Sequence, residues 1–158
     1  MASVSAGFRN INDEYSPDLL VRYGPTLAVQ IGFDSEFQPG TSSPSLPNET
    51  YPALVDTGAT ESCIDSALAV DLDLPVVDRQ TVSGVHGPNA VNFHLAQIYI
   101  PDLHHTVYGL FAGVHLTAGG QPHRALMGRT FLSKVILTYE GITGSVTISH
   151  GNDAVSQK

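Results

Sequence analysis

PALVDTGATESCID, residues 52–65, contains a carboxylate in an unusual place for a strand. It places Asp56 directly after two apolar residues, Leu54 and Val55, and directly before a Thr-Gly pair. Removing a carboxylate from water is costly unless the carboxylate is paired or hydrogen-bonded. The sequence therefore predicts that Asp56 has a dedicated partner, and the question is which residue supplies it.

The composition is that of one folded domain with an acidic surface. The chain has 158 residues, of which 42% are hydrophobic and 14% are charged, as expected of a globular chain. The net charge is −8 and the seven Lys and Arg residues form no basic cluster, so we expect no nucleic-acid partner and no membrane partner. The N-terminus lacks the pattern of a signal peptide, and no window is apolar enough to span a bilayer. These features predict a cytoplasmic protein.

The apolar pattern predicts an all-β fold with one or two short helices. Residues 26–33 alternate apolar and polar with the period of a half-buried strand. Asp65 is a suitable N-cap for a short helix that Pro75 must end. The alternation along residues 91–100 changes phase, which predicts a bulge near Ala96 and Gln97. Residues 135–149 are expected to close the domain as a hairpin.

A second informative stretch is TVSGVHGPNA, residues 81–90. Two glycines, Gly84 and Gly87, bracket Val85 and His86 between flanks that favour strands. Glycine gives a turn the backbone freedom that other residues lack. The stretch therefore predicts a β-hairpin with a mobile tip.

A third stretch, Leu126-Met127-Gly128-Arg129, completes an ordered set of motifs. Asp-Thr-Gly after apolar residues, then a helix, a glycine-bracketed hairpin and this apolar-apolar-Gly element together resemble the retroviral-type aspartic proteases, the retropepsin-like family. The resemblance covers roughly residues 26–149. It implies a retropepsin-like acid protease barrel with one lobe per chain at residues 25–150. An N-terminal segment of uncertain role, 1–24, and a C-terminal tail, 151–158, flank that domain.

The resemblance also implies roles for individual residues. Asp56 would be the catalytic residue, with Thr57 and Gly58 in support, and the hairpin would be the flap that closes over substrate. Arg129 would begin a helix and meet Glu61, although Thr130 stands where the family usually has Asp or Asn. The substrate-binding residues would be Ala59, Gly84, Val85, His86 and Gly87, and the residues packed behind the aspartate would be Leu126, Met127, Gly128 and Arg129.

The partner of Asp56 is expected to come from a second copy of the chain. No second Asp-Thr-Gly or Asp-Ser-Gly is present, and Asp65-Ser66-Ala67 lacks the glycine. A two-fold axis through the site would bring two Asp56 carboxylates together in a homodimer. Two carboxylates that share one proton can activate water for peptide hydrolysis. The expected activity is that of an aspartic endopeptidase acting on extended polypeptides without a cofactor or a metal.

Two other interpretations remain open from the sequence. The chain could be a retropepsin-like domain that dimerises and binds extended peptides by strand addition with little or no turnover. It could also be a structural β-domain in which Asp-Thr-Gly is an ordinary turn. Cys63 is expected to be a small buried strand residue, because nothing around it predicts a reactive thiolate. The seven histidines show no metal-binding spacing.

Overall fold

The structure is a computed structural model, and it describes residues 2–84 and 87–151. Val85 and His86, the predicted tip of the hairpin, lie outside the described residues. The elements, in chain order, are β1 (Ser3–Ser5), α1 (Pro17–Tyr23), β2 (Thr26–Gly32), β3 (Tyr51–Val55), β4 (Cys63–Asp65), α2 (Ser66–Asp71), β5 (Val76–Gly84), β6 (Gly87–Ile100), a 3-10 turn (Pro101–Leu103), β7 (His105–Val114), β8 (Ala125–Met127), α3 (Arg129–Leu132), β9 (Val135–Glu140) and β10 (Ser145–His150).

Two sheets contain all of these strands. Seven strands form one sheet in the order β2-β3-β8-β4-β7-β6-β5, and β2 pairs a second time with β6. This second pairing makes the sheet curl back on itself, because β2 contacts β3 with its first half and β6 with its last residues. The second sheet has the order β1-β10-β9. The prediction of a mainly β chain with few short helices is confirmed.

Two of the described helices, α1 and α2, begin where a side chain satisfies a free amide. The Ser16 side chain accepts a hydrogen bond from the Leu19 amide at the start of α1, and the Asp65 side chain does the same for Leu68 at the start of α2. The Asp65 cap agrees with the prediction. Three short α-helices are described rather than one or two, because α1 lies in a segment for which the pattern predicted no element. None of the described helices has the length and hydrophobicity needed to cross a bilayer.

The bulge predicted at Ala96 and Gln97 is wrong. The pairing of β6 with β7 runs from Phe93 to Ile100 without a shift in register. From His94 to Ile100 the side chains at even positions are buried, and the apolar residues at odd positions are half-buried on the other face. The change of phase in the sequence therefore reflects two partly covered faces and no extra residue. An irregularity does occur in the partner strand β5, between Val76 and Asp78.

The core lies between the curled sheet, the second sheet and the helices. β3 and β8 contribute Ala53, Val55, Ala125 and Met127, all buried. The N-terminal segment contributes to the same core, because β1 pairs with β10 and Leu20 of α1 is buried in the main cluster. This packing fixes the ends of β3 and β8, from which the candidate site is built.

Candidate active site

Asp56 stands at the end of two adjacent parallel strands. Val55, the last residue of β3, lies in register with Met127, the last residue of β8. The Asp56 amide continues that pairing, since it donates a hydrogen bond to the Met127 carbonyl at 2.9 Å. Both Val55 and Met127 are buried, whereas Asp56 itself is only half-buried. The fold therefore places the carboxylate at the rim of the sheet on a rigid base.

The loop after Asp56 holds one of its two carboxylate oxygens. The Gly58 amide donates to Asp56 Oδ1 at 2.9 Å. A Cβ at position 58 would lie 3.2 Å from the same oxygen, so glycine allows the close approach of this amide. Among the described residues, Asp56 Oδ2 has no hydrogen-bond partner, and Thr57 and Gly58 are exposed. The carboxylate is thus oriented by its own loop and keeps one oxygen free.

A second loop, residues 128–130, which leads into α3, holds the loop that follows Asp56 in place. The Arg129 amide donates to the Ala59 carbonyl at 2.8 Å, and the Thr130 amide donates to the Thr60 carbonyl at 3.0 Å. The Gly128 amide donates to the hydroxyl of buried Ser62 at 3.0 Å. Three successive amides at the start of α3 therefore hold the loop that follows Asp56. The resemblance placed Gly128 here, but it gave no role to Ser62, whose partner is distant in sequence.

Gly128→Ala should disrupt the site, because there is no room for a side chain at this position. A Cβ at Gly128 would lie 2.6 Å from the Glu61 carbonyl oxygen and 2.9 Å from the Ala59 carbonyl oxygen. Both contacts are to backbone atoms, so the loop must move. We expect the substitution to lower the free energy of unfolding by about 1–3 kcal/mol, measured by urea unfolding. Gly151→Ala, just after β10, where φ is not positive and an added Cβ would meet nothing within 4 Å, is a control for glycine replacement away from the site; an equal loss in both would contradict the role of Gly128.

The predicted ion pair between Arg129 and Glu61 is wrong for the described structure. Arg129 donates from one terminal nitrogen to the Thr57 carbonyl at 2.8 Å and from the other to Thr60 Oγ1 at 2.9 Å. The Glu61 side chain is exposed. The backbone bonds between the two loops bring the guanidinium onto the Asp-Thr-Gly turn, where neutral oxygens satisfy it. Arg129 therefore stabilises the turn that carries Asp56.

Within residues 52–65, the fully buried carboxylate is that of Asp65. The sequence predicted only its role as a helix cap. Its side chain accepts hydrogen bonds from the amides of Leu68, Leu116 and Thr117, from the Thr117 hydroxyl, and from Arg124 Nε at 3.2 Å. Burial by itself raises the pKa of Asp65, but these bonds and the Arg124 charge outweigh it, and the pKa lies below its usual value. Most of these partners are far away in the sequence, so no local pattern could indicate them.

Cys63 is a buried strand residue, as predicted. Burial raises the pKa of its thiol to about 11, with a smaller increase from the Asp56 charge and a decrease from the Leu126 backbone. The thiol is therefore protonated at neutral pH and is a poor nucleophile. Among the described residues, no group of three or more His, Cys, Asp or Glu side chains is placed to hold a metal ion.

The predicted hairpin is present as β5 and β6, with Gly84 opposite Gly87. Gly87 has a φ of 96°, a conformation that side-chain-bearing residues rarely adopt. Within the described part of the chain, no hydrogen bond joins Gly84 or Gly87 to the loop at Asp56. The structure thus brings Asp56–Ala59 and Leu126–Arg129 together, and among the described residues it shows no hydrogen bond from these loops to the hairpin glycines.

Two cavities lie along β7, and neither is lined by Asp56. One has a volume of about 450 Å³ and is bordered by Phe37 and residues 39–43. The other, of about 340 Å³, reaches Glu61, Ser62 and Thr130 beside the loop. Asp56 of a single chain therefore contributes to neither of these two cavities.

Comparisons with known proteins give limited information. No family model matches the chain, and no curated protein matches it. Among solved structures, it is similar to the EIAV protease complexed with the inhibitor HBY-793, at 20% identity and a TM-score of 0.41, over 69% of this chain and 85% of that chain. The identity and the TM-score are too low for this likeness to assign an activity.

Proposed function

We propose that this chain is one half of a homodimeric, retropepsin-like aspartic endopeptidase. The observation that carries the proposal is the burial and the hydrogen bonding of the Asp56 carboxylate. Its carboxylate is half-buried at the end of β3, one oxygen is held by the Gly58 amide at 2.9 Å, and the other has no hydrogen-bond partner in the described part of the chain. An aspartate in an ordinary turn needs no second loop to position it. Here the amides of residues 128–130 bind the loop that follows Asp56 and hold it in place.

The chemistry requires a second carboxylate, which we assign to Asp56 of a second copy. Two carboxylates that approach each other closely cannot both ionise easily, so the pair keeps one shared proton. The ionised member removes a proton from water, and the water oxygen attacks the peptide carbonyl. The protonated member donates to the carbonyl oxygen, and the amine leaves after it receives a proton from the pair. The exposed Thr57 hydroxyl would bond across to the loop of the second copy.

The substrate would be an extended polypeptide bound between the two copies and the β5–β6 hairpins. Ala59 lies beside Asp56 in the same loop, and Gly84 and Gly87 close the described part of the hairpin. Val85 and His86 complete the proposed substrate-binding set. Specific pockets would then be assembled from both chains, which is consistent with the absence of Asp56 from the lining of the two cavities along β7.

A second candidate function is peptide binding without turnover. The observation that favours it is at Arg129, which bonds to the neutral oxygens of Thr57 and Thr60 rather than to a carboxylate. Arg129 therefore supports the turn through charge-assisted bonds to neutral acceptors, without the ion pair that the resemblance implies. A retropepsin-like dimer that binds extended peptides with little hydrolysis would not need a more rigid turn at Asp56.

A digest of denatured proteins separates the two functions. The protein is incubated with the denatured mixture at about pH 5, where a coupled carboxylate pair holds one proton, and new termini are mapped by mass spectrometry with and without a statine peptide, which mimics the tetrahedral transition state. We expect new termini that the statine peptide suppresses and that a metal chelator leaves unchanged. Saturable binding of the peptides without new termini would favour the second candidate. Termini that the chelator removes and the statine does not would overturn the proposal.

Activity should also depend on protein concentration. If each chain supplies one of the two carboxylates, dissociation of the dimer abolishes the site. We expect specific activity to be constant at high concentration and to fall on dilution through the dimer dissociation constant, measured in parallel by sedimentation. Constant specific activity in a sample that sediments as a monomer would contradict this prediction.

A further inference from the structure

The first part of strand β7 has one unpaired edge. On one side, residues 105–112 of β7 pair with β6, but on the other side β4 reaches only residues 112–114. In the described part of the chain, no backbone hydrogen bond joins residues 105–111 to another element on that second side. The N–H and C=O groups that point to an unpaired edge are free to pair with another chain. This edge therefore presents a row of main-chain donors and acceptors.

A cavity of about 340 Å³ lies along this edge. It is bordered by residues 105–108 of β7 together with Leu110 and Phe111. Successive side chains of a strand point to opposite faces of its sheet, so a cavity that touches successive residues lies at the edge of the strand rather than on one face. The opposite wall is formed by residues of α3 and by Lys134 just after it. We call this feature the β7–α3 groove.

The lining of the β7–α3 groove is largely apolar. Phe111 and Phe131 are buried, with exposed fractions of 3% and 1%, whereas Leu110 is 52% exposed. Val107 lines the same cavity. An apolar side chain that enters the groove would remove Leu110 from water, which is favourable.

The charges around the β7–α3 groove select neither an anion nor a cation. They are one carboxylate, Glu61, and one ammonium group, Lys134, and within the described ranges neither takes part in an ion pair. Burial lowers the pKa of His105, and the nearby His150 and Lys134 lower it further, so this ring adds no charge at neutral pH. Recognition by the groove therefore depends on its apolar lining and its free main-chain groups.

We infer that the β7–α3 groove binds an extended peptide segment of a partner protein, which adds to β7 as a strand and inserts a large apolar side chain into the cavity. In this mode of recognition, main-chain hydrogen bonds give affinity, and pockets for alternate side chains give specificity. A second copy of this chain does not suit the groove, because its own β7 edge is recessed beside α3 in the same way. Asp56 does not line the cavity, and the inference does not depend on the proposed protease activity.

Synthetic peptides of about seven residues test this mode of binding. Threonine and valine alternate along each peptide, a lysine at each end keeps it soluble, and the central residue is leucine, phenylalanine, glycine or aspartate. In calorimetric titration we expect saturable binding with one site per chain, tighter for central leucine or phenylalanine than for glycine or aspartate. Equal affinity for all of these peptides, or no saturable binding of any, would overturn the inference.

N-methylation of the leucine peptide distinguishes strand addition from the simple insertion of a side chain. Alternate N–H groups of an extended peptide point to opposite edges, and only one edge can pair with β7. Two versions of the peptide carry N-methyl groups on alternate amides, one version for each edge. We expect one version to bind at least about tenfold more weakly, through the loss of several hydrogen bonds, and the other to bind like the parent peptide. Equal affinity of the two versions would contradict strand addition.

Leu110→Ser should weaken binding of the leucine peptide at least about fivefold, because it removes apolar surface from the lining of the groove. Ile136→Ser in β9 is the matched control, since Ile136 is also 52% exposed and does not line this cavity. We expect the control to leave the affinity unchanged. Equal weakening in the two variants would overturn the inference, and the N-methylated peptides test it without any change to the protein.

Three measurements test where the peptide binds. Hydrogen exchange of fragments that cover residues 105–111 should slow when the leucine peptide is added, while exchange of fragments that cover β9 should stay the same. A statine peptide, which would occupy the candidate active site, should not displace the leucine peptide. Displacement by the statine peptide, or unchanged exchange at saturation, would overturn the inference. Sedimentation in which Leu110→Ser abolishes self-association would also overturn it, because the groove would then bind a second copy of the chain.

Discussion

Asp56→Asn should abolish peptide hydrolysis and leave the fold intact. An asparagine can keep the bond from the Gly58 amide through its carbonyl oxygen, because that bond needs only an acceptor at Oδ1. It cannot remove a proton from water, and general base catalysis of this kind contributes about 10²–10⁴-fold. We expect the rate to fall at least about a thousand-fold, measured with a cleaved peptide from the digest, while the circular dichroism and the melting temperature stay close to those of the wild type.

The control for this substitution is Asp34→Asn, which also changes an aspartate near the end of a strand. Asp34 accepts hydrogen bonds from loop amides at Glu36 and Ser45 and lies outside the loop at Asp56. We expect this variant to keep most of its activity. Near-normal turnover by a folded Asp56→Asn protein, or equal losses in both variants, would rule out Asp56 as the group that activates water.

Asp65→Ala should be the most destabilising substitution in this part of the chain. It removes a fully buried carboxylate that accepts five hydrogen bonds and leaves Arg124 without its ion pair. Loss of one member of a buried pair costs about 3–5 kcal/mol, and we expect the lower end because the Arg124 side chain is 28% exposed. Urea unfolding gives the difference in the free energy of unfolding.

The matched control is Asp71→Ala at the exposed end of α2. A surface carboxylate at a helix C-terminus contributes little, so we expect a change below about 0.5 kcal/mol. A loss at Asp65 no larger than that at Asp71 would contradict the assigned network.

Asp65 also predicts how stability depends on pH. The pKa of Asp65 is lower in the folded chain than its usual value, so its contribution is complete above the pKa in the unfolded chain, about 4, and is lost as the pH falls through the folded value. The difference in stability between wild type and Asp65→Ala should therefore shrink in acid below about pH 4.

The sequence predicted the mainly β class, the hairpin at Gly84 and Gly87, and the capping role of Asp65, because each rests on a local pattern. It did not predict α1, whose start depends on a single serine cap and whose buried face is one leucine. The phase change in β6 was misread, since periodicity alone cannot separate a bulge from a strand with two partly covered faces.

At the candidate site, the motif residues could be predicted from the sequence, and the contacts between the two loops could not. Asp56, Gly58 and Gly128 were identified by their motif, and the structure places them in one assembly of two loops. The contacts of Arg129 could not be derived from spacing, because Thr57, Thr60 and Glu61 are all within one short loop and only the backbone geometry decides which oxygen the guanidinium reaches. Ser62 was missed for the same reason.

If two copies of Asp56 form one active site, mixing wild-type chains with Asp56→Asn chains should lower activity more than in proportion to the wild-type fraction. Wild-type and Asp56→Asn chains are unfolded together, refolded in known proportions at constant total concentration, and assayed with the same peptide. Random pairing predicts that activity follows the square of the wild-type fraction, so an equal mixture keeps about a quarter of the activity. Wild type diluted to the same extent with Asp34→Asn chains should stay close to full activity. Activity that falls in simple proportion to the wild-type fraction, leaving about half in the equal mixture, would mean that each chain hydrolyses peptides on its own.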